Sequence, residues 1–532
     1  MKLQERNPKW LNDDYVKFVR LAEHYVEKNG SGIVAYINPH GFLDNPTFRG
    51  MRWHLMQTFD EMYFLNLHGN AKKKEVAPDG GKDECVFNIM QGVSINLFVK
   101  KGSASRGDAE TRRNSCRVFY SDLWGLRRDK FAALETATME SIKWQELNPV
   151  APMLFFVPKD TAGEAEWNAG FGIAELMEVN GMGVTTGDDS TLVDSIVDSL
   201  LTNVAAKHGA SVLSKVREFS YRPFDERLVY YDARLLARAR DKFWGKCFNA
   251  ESQSRRECED IEKADLLRYN CLSDSENVGG VRCEQIRLLN KGEIGNVALC
   301  LIRINSKDNG LPVFVTEKIT DKTILSSKDN ANVFPLWLYE ENMGKIEKRA
   351  NLNPEIVSRI SASLRLCVKD ITPEDIFTYI YGILHTPSYR KKFKEFLKTD
   401  FPRIPYPNDA EQFNAVAEIG RSLIDAHLMR DAAPGLSETR ARFPKMGGNI
   451  VEEVRFDEGR VIINAEQFFD NVPTVAWEMP IGGYRPAEKW LKDRKGRTLT
   501  GDDIKHYQRI IIALMKTAEA AERLDALDKK PM

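Results

Sequence analysis

Hydrophobic and polar residues in the first hundred positions follow two different periods. Apolar side chains recur every three or four residues at 13–29 and at 47–58, which predicts two amphipathic helices. Between them, a turn rich in Asn, Pro and Gly is predicted at 38–41. Short apolar runs predict buried strands at 32–37, 62–68 and 86–101. This order of helices and strands is typical of the end of an α/β nucleotide-binding domain.

The pattern changes after residue 102. One strand is predicted at 151–158 and one helix at 191–207. Short apolar runs then predict strands at 227–232, 297–304, 312–319 and 333–339. Helical periodicity dominates 354–430 and 501–527, with a short β segment at 449–464. The sequence therefore predicts three regions, bounded at 1–102, 103–220 and 221–532.

Composition narrows the class of protein. The chain has 532 residues, of which 42% are hydrophobic, enough to build the cores of several domains. The formal net charge is −1, so a surface that binds nucleic acid would have to be local. The eight cysteines form no C-x-x-C pair, which predicts free thiols and no metal site. The lack of a signal peptide or of a long apolar run predicts a cytoplasmic protein that does not enter a membrane.

Basic residues cluster with aromatic residues in three segments, which are 220–231, 388–398 and 482–500. Lys and Arg bind phosphates by charge, and Arg can also bind a guanine edge with two hydrogen bonds. The candidates for DNA contact are Arg222, Arg227, Arg390, Lys392, Arg403, Lys492, Arg494, Lys495 and Arg497. Each has a structural alternative, because a basic helix is often only a solvated face. Arg227 could pair with Asp225, and Arg403 could brace a turn.

Several long segments, taken in order, resemble one family. Residues 13–80 and 86–101 are similar to the stretch that follows the catalytic tetrapeptide in large adenine-specific DNA methylases, including the Type ISP restriction–modification enzymes. The segments similar to that family's recognition region are YSDLWGLRRDKF (120–131), YRPFDERLVYYD (221–232), FPLWLY (334–339), IYGILHTPSYRKKFKEFLKTDFPRIPYP (380–407) and IGGYRPAEKWLKDRKGRTLTGDDIKHYQRII (481–511). The resemblance covers nearly the whole chain.

This resemblance implies an α/β fold. Residues 1–102 would be the carboxy-terminal part of a Rossmann-like methyltransferase sheet, followed by a connecting α/β region and a mixed α+β target-recognition region at 221–532. The implied function is recognition of a short double-stranded DNA sequence and placement of one adenine for N6 methylation in a bacterial restriction–modification system. Target-base pocket candidates, by the same similarity, are Asn38, His40, Phe42, Asp44 and Asn45. The alternative is a non-catalytic DNA-binding or assembly protein.

The chain departs from the family at its catalytic motifs. The nearest candidates for the glycine loop that binds the methyl donor are Gly170–Gly172 and Gly181–Gly183, and neither lies in a strand–turn–helix frame. Asn7–Trp10 resembles the Asn-Pro-Pro-aromatic tetrapeptide, but Lys9 replaces the second proline. No complete catalytic set is therefore expected. S-adenosylmethionine would serve the complete enzyme rather than bind this chain alone.

The missing motifs imply a partner. Type ISP enzymes carry nuclease, helicase, methylase and recognition regions in one polypeptide. The amino-terminal methyltransferase, helicase and nuclease portion would be separate or lost here, and this chain would be inactive alone. The predicted sheet would then lack a neighbour, so residues 13–101 would either associate with that separate portion or be poorly stable.

Overall fold

The computed structural model describes residues 8–71, 75–102, 116–151, 153–159, 163–209, 211–232, 234–237, 296–304, 310–342, 345–365, 371–430 and 441–528. The chain divides into two compact units, Met1–Thr161 and Ala162–Met532. No helix in the described ranges is both long and apolar enough to cross a membrane. Cys85, Cys116 and Cys300 are free cysteines.

The first unit is built on a five-stranded sheet. Its elements are α1 (Asp14–Asn29), β1 (Gly32–Pro39), α2 (Arg49–Thr58), β2 (Glu61–Asn66), β3 (Val93–Lys100), β4 (Arg117–Asp122), α3 (Arg127–Thr136) and β5 (Gln145–Leu147). The strand order is β1-β3-β2-β4-β5. β3 is antiparallel to both β1 and β2, while β2 and β4 are parallel. The carboxyl ends of β1, β2 and β4 therefore meet at one edge of the sheet.

Local sequence explains the first elements of this unit. α1 ends at Gly30, whose φ of 78° is left-handed and whose N–H donates to the carbonyl groups of Val26 and Glu27. The buried side of β1 carries Val34, which packs in a core that also contains Phe64 and Phe98. The helices predicted at 13–29 and 47–58 and the strand at 32–37 are confirmed, each within a few residues.

Two predictions for this unit were wrong. The first region does not end at residue 102, because β4 and β5 belong to the same sheet. The run at 151–158 is not a strand in its described residues. Its carbonyl groups and side chains have other partners: Arg52 donates to Met153 O over 3.0 and 2.6 Å, and Phe156 packs in the core.

The second unit contains several small sheets. Its strands are β6 (Phe171–Gly172), β7 (Gly181–Met182), β8 (Val193–Asp194), β9 (Val216–Arg222), β10 (Asp225–Tyr230), β11 (Ala298–Ile302), β12 (Val313–Thr316), β13 (Ile319–Thr320), β14 (Ala331–Pro335), β15 (Trp337–Asn342), β16 (Lys345–Ala350), β17 (Arg403–Ile404), β18 (Arg455–Asp457), β19 (Arg460–Ile462) and β20 (Phe468–Phe469). The two larger sheets have the orders β13-β9-β10-β8 and β12-β11-β14-β7. Since β9 starts at Val216, the predicted boundary at 220 falls inside a strand.

The second unit also contains helices of 4 to 28 residues. They are α4 (Glu164–Ala169), α5 (Ile173–Leu176), α6 (Asp189–Leu192), α7 (Val197–His208), α8 (Pro354–Leu364), α9 (Pro373–His385), α10 (Pro387–Lys392), α11 (Lys394–Leu397), α12 (Ala410–His427), α13 (Thr474–Glu478), α14 (Pro486–Lys492) and α15 (Gly501–Asp528). The mainly helical character predicted for 354–430 and 501–527 is confirmed.

The two largest hydrophobic cores among the described residues both lie within the second unit. One forms between α9, α12 and the sheet that contains β11, and the other surrounds α13, α14 and the β18–β20 sheet. α15 contributes to both, with Ala520 and Leu524 in the first core and Tyr507 and Ile510 in the second. α9 and α12 approach closely where Gly382 and Gly420 face the opposite helix.

Candidate functional site

Polar side chains gather at the edge of the first unit's sheet where β1, β2 and β4 end. We call this group the strand-end cluster, and its members are Asn38, His40, Asn66, His68, Asn96 and Asp122. All except Asp122 are buried, although each is polar. Buried polar groups are costly unless they are hydrogen-bonded, so the stability of this cluster depends on its hydrogen bonds.

Asn66 is the centre of the strand-end cluster. Its Oδ1 accepts from the backbone N–H of His68 over 3.1 Å, and its Nδ2 donates to the Tyr120 hydroxyl over 3.0 Å. These bonds orient the amide. Oδ1 also lies 2.9 Å from His40 Nδ1, which must therefore be the protonated nitrogen that donates. The unprotonated Nε2 of His40 then faces away from Asn66.

His68 is held in an uncommon geometry. Its φ of 49° is left-handed, and its ring stacks on Trp124 with centroids 3.3 Å apart. Its Nε2 donates to the Asp122 carboxylate over 2.5 Å. Nδ1 is buried and has no hydrogen-bond partner among the described residues.

Two of the five predicted base-pocket residues lie in the strand-end cluster. His40 is one. Asn38 is the other: its Oδ1 accepts from Asn96 Nδ2 over 2.8 Å, while its own Nδ2 is buried without a partner in the described part of the chain.

The other three predicted pocket residues are placed differently. Phe42 is fully buried and packs against Phe64, so its ring is not available to stack on a base in this conformation. Asn45 caps a short 3-10 helix by accepting from the Thr47 N–H over 3.0 Å. Asp44 lies 3.7 Å from Lys159 Nζ.

Sequence reasoning missed Asn66, His68, Asn96 and Asp122. They lie on or just after strands that follow later in the chain, and the register of β2, β3 and β4 brings them to Asn38 and His40. The sequence contains one indication of these residues: the apolar run at 62–68 ends in polar residues, which include Asn66 and His68.

A second candidate site in the other unit combines arginines with aromatic rings. We call it the arginine–aromatic cluster, and its members are Tyr221, Arg222, Arg227, Tyr484, Trp490 and Arg494. The guanidinium groups of Arg222 and Arg227 lie 3.9 and 4.1 Å from the Tyr221 ring centroid. That of Arg494 lies 3.6 Å from the Trp490 centroid. These distances are within the range of cation–π interactions.

Asp225 joins the arginines of this cluster. It is buried, and its carboxylate accepts from Arg227 over 2.7 Å and from Arg494 over 3.0 Å. Burial alone would raise the pKa of Asp225, but the charges and hydrogen bonds of the two arginines outweigh it and lower the pKa. Arg222 pairs with Asp321 over 3.2 Å. The three arginines of this cluster thus form ion pairs within the protein. The pairing of Arg227 with Asp225 was the structural alternative predicted for that residue.

Three other predicted DNA contacts also have internal partners. Arg403 bonds Glu175 Oε1 over 2.6 Å and Gly170 O over 2.7 Å, so it connects β17 to the segment at 170–175 rather than bracing a turn within its own segment. Arg390 donates to Leu384 O over 2.5 Å, and burial lowers its pKa to about 10. Lys392 forms an ion pair with Glu166.

Lys492, Lys495 and Arg497 are exposed at and after the end of α14. Lys492 Nζ lies 2.6 Å from Glu488 Oε1, and Arg497 donates to Ser195 Oγ over 3.1 Å. The Lys495 ammonium group has no ion-pair or hydrogen-bond partner among the described residues. We call these three residues the basic loop, because their charges face solvent and are available to a polyanion.

Three solved structures share the fold of this chain. The ATP-dependent Type ISP restriction–modification enzyme LlaBIII bound to DNA matches 98% of this chain at 18% identity, with a TM-score of 0.65. The DrdV–DNA complex matches 100% at 19% identity, also with a TM-score of 0.65. A nuclease-deletion mutant of the Type ISP enzyme LlaGI, in complex with a DNA substrate mimic, matches 98% at 16% identity, with a TM-score of 0.62. The chain covers 34%, 53% and 41% of those three chains.

The fold is thus one shared with restriction–modification enzymes. Residues 273–523 match the family model described as the Type ISP C-terminal specificity domain. A comparison with curated proteins finds no match.

Proposed function

We propose that the chain recognises a short double-stranded DNA sequence and helps to place one adenine for N6 methylation, as the carboxy-terminal part of a Type ISP restriction–modification enzyme. The observation that carries this proposal is the specificity-domain family at 273–523. The structures that share the fold support it, since LlaBIII is bound to DNA and LlaGI is in complex with a DNA substrate mimic.

In this proposal the basic loop binds DNA phosphates. Phosphate contacts hold a protein in register on the duplex, and separate contacts to base edges read the sequence. The arginine–aromatic cluster and the internally paired Arg390, Lys392 and Arg403 would support the shape of the recognition region. The predicted contacts with exposed side chains are Lys392, Lys492, Lys495 and Arg497. Lys392 and Lys492 form ion pairs with Glu166 and Glu488, and these pairs are exposed.

The first unit would hold the target adenine. In open α/β sheets, ligands bind beside the carboxyl ends of the strands. The strand-end cluster lies at such an edge, where Asn38 and His40 are near the groups that sequence reasoning missed. An adenine taken out of the duplex presents hydrogen-bond donors and acceptors that polar side chains at this edge would bind.

The methyl donor is not expected to bind this chain alone. The glycines considered for a donor loop serve packing instead: a Cβ on Gly170 would lie 2.7 Å from Ile404 O, and one on Gly183 would lie 2.6 Å from Lys322 N. These segments do not fit S-adenosylmethionine. Transfer would therefore require a methyl-donor site that these segments do not supply.

DNA recognition can be tested by selecting duplexes from a random pool with the full chain at about 150 mM salt, where counterion-driven background is weak. We expect one enriched sequence. The eluted DNA is then assayed for methyl transfer with and without a co-expressed upstream methyltransferase portion. Transfer only in its presence would support the proposal. An enriched sequence without transfer in either case would favour a DNA-binding protein with no part in methylation.

Replacing Lys495 and Arg497 with alanine together should weaken binding to the selected duplex and to unrelated duplexes by a similar factor. Each lost phosphate contact should also reduce the slope of log affinity against log salt by about 0.9. The matched control is Arg455→Ala with Arg460→Ala, which removes two exposed charges that pair with Asp457 and Asp470. Unchanged affinity and slope for the first variant would exclude the basic loop from the interface.

Part of the apolar surface predicted to need a partner is exposed on β1, whereas Met62, Phe64 and Phe98 of β2 and β3 are buried. β1 lies at one edge of the sheet, and its Ile33 is 68% exposed. Phe18, Leu21 and Tyr25 form an exposed apolar stripe on α1, opposite the side that buries Val19. We propose that the amino-terminal methyltransferase portion covers this surface.

Changing Phe18 and Ile33 to lysine should therefore abolish co-purification with the amino-terminal portion while leaving the isolated chain folded, because both side chains are already in solvent. The measurement is a pull-down from cells that express both polypeptides, with circular dichroism of the variant. Phe131→Lys is the control, since that residue is an exposed apolar residue on α3. Undiminished co-purification of the Phe18/Ile33 variant would contradict the proposed contact.

A further inference from the structure

Two histidines of the strand-end cluster, His40 and His68, lie beside the carboxylate of Glu75. His40, His68 and Glu75 place two imidazole nitrogens and a carboxylate oxygen within 4.8 Å of one another. His40 Nε2 lies 3.9 Å from Glu75 Oε1, and His68 Nδ1 lies 4.0 Å from Glu75 Oε2. The two histidines are buried and Glu75 is mostly buried.

Hydrogen bonds on the far side of each ring fix which nitrogen carries the proton. His40 Nδ1 donates to Asn66 Oδ1, and His68 Nε2 donates to the Asp122 carboxylate. The nitrogens that face Glu75 are therefore the unprotonated ones, with lone pairs. Histidines that bind metals usually donate their other ring N–H to a carboxylate or carbonyl oxygen, which orients the ring and raises its basicity.

Two further features support this arrangement. His68 Nδ1 is buried without a partner among the described residues, and it is aimed at the space between His40 and Glu75. The left-handed backbone of His68, with φ of 49°, is a conformation that costs energy outside glycine and is found at binding sites. Gly92 leaves room for the other ring, since a Cβ there would lie 2.6 Å from His40 Nε2.

We propose that His40, His68 and Glu75 bind a divalent transition-metal ion of the Zn²⁺ class. Two imidazoles and one carboxylate form a donor set that Zn²⁺ uses, with a fourth position left for water. Around a tetrahedral ion with bonds of about 2.0–2.1 Å, neighbouring ligand atoms are about 3.3 Å apart. The observed separations therefore require the ligands to move together by less than about 1.5 Å. Asn70 Nδ2, now 3.4 Å from His40 Nε2, would give way to the ion.

Elsewhere in the same unit, a second group of similar composition provides a comparison. Glu23, Glu27 and His54 also place three ligand atoms close together. There, however, His54 Nδ1 bonds directly to Glu23 over 2.7 Å, and Glu27 pairs with Arg20 over 2.9 Å. Its donors bind each other, so this group is not expected to bind an ion.

Zinc binding can be measured on the full chain after removal of metals with a chelator. The probe is ZnCl₂, followed by isothermal titration and by elemental analysis of the dialysed protein. We expect about one equivalent of zinc to bind to the unaltered chain and to His54→Gln. His68→Gln and Glu75→Gln should lose binding, and Asp122→Asn should lower the affinity by about 10–100-fold.

The proposal is overturned if the unaltered chain takes up no zinc, or if His68→Gln and Glu75→Gln bind it as tightly as the unaltered chain. Glu75→Gln is the decisive variant, because its partly exposed side chain can change without disturbing the core, and circular dichroism checks that it is folded. The site does not rest on the proposed function. DNA selection is repeated with the same preparations in the absence of zinc. Because this measures DNA recognition independently of the metal, a failure to bind zinc can be distinguished from a failure to recognise DNA.

Discussion

Replacing Gly420 with alanine is expected to lower the free energy of unfolding of the second unit by about 3 kcal/mol, the upper end for an overpacked core. In α12, a Cβ on Gly420 would lie 1.9 Å from Thr378 O in α9, closer than any contact allows. The obstacle is backbone, so it cannot rotate away. Intrinsic helix propensity favours alanine by about 1 kcal/mol, and the steric clash must outweigh that gain.

The measurement is urea unfolding of the full chain, followed by hydrogen exchange of the backbone amides of α9 and α12 as a probe of the second unit. Ser422→Ala is the matched control, because Ser422 is exposed on the same helix and should gain a few tenths of a kcal/mol from propensity alone. If Gly420→Ala is as stable as Ser422→Ala, then α9 and α12 do not pack through their glycines as described.

The Asp225→Ala substitution should lower the free energy of unfolding by about 3–5 kcal/mol, the usual cost of leaving a buried ion pair without one partner. The carboxylate is 2% exposed and lies between Arg227 and Arg494. Without it, two largely buried guanidinium groups would face each other with no anion between them. Asp457→Ala provides the control, since its ion pair with Arg455 is exposed and should contribute less than about 1 kcal/mol.

Acid should reduce the contribution of Asp225. Its pKa is lowered in the folded protein, so the stability it contributes is present above the unfolded-state pKa of about 3.9 and is lost as pH falls through the folded value. The difference in unfolding free energy between the unaltered chain and Asp225→Asn should therefore be constant near neutral pH and shrink below about pH 4. A difference that grows in acid would mean that Asp225 is protonated in the folded state.

The local pattern of apolar and polar residues was sufficient to predict helices that bury one stripe of their own side chains. The periodic apolar positions of 13–29 and 501–527 predicted α1 and α15, because each helix buries one stripe along its length. The run at 151–158 misled for a physical reason. Its side chains are apolar because Phe156 enters the core, but its backbone bonds Arg52 rather than a neighbouring strand. Local pattern does not reveal which partner a backbone group finds.

The candidate sites depend, more than single helices and strands do, on contacts between residues that are far apart in the sequence. Asn38 and His40 could be singled out from a turn that follows an apolar run, but Asn66, His68 and Asp122 join them only through the register of β2 and β4. For the same reason, the histidine and cysteine spacings gave no sign of the site proposed at His40, His68 and Glu75. Charge clusters in the sequence likewise could not separate Arg494, which bonds Asp225, from Lys495, which faces solvent.

The placement of α15 bears on how recognition regions of this kind can be exchanged between related chains. One end of the helix completes the second core and the other end completes the first. If two related chains recombined at a point between these cores, one core would pack against part of an α15 from the other chain. The side chains of that helix fit different neighbours. The smallest segment that can be exchanged without loss of packing therefore includes both cores together with α15. Exchange of a shorter segment would destabilise the cores before it changed the proposed DNA recognition.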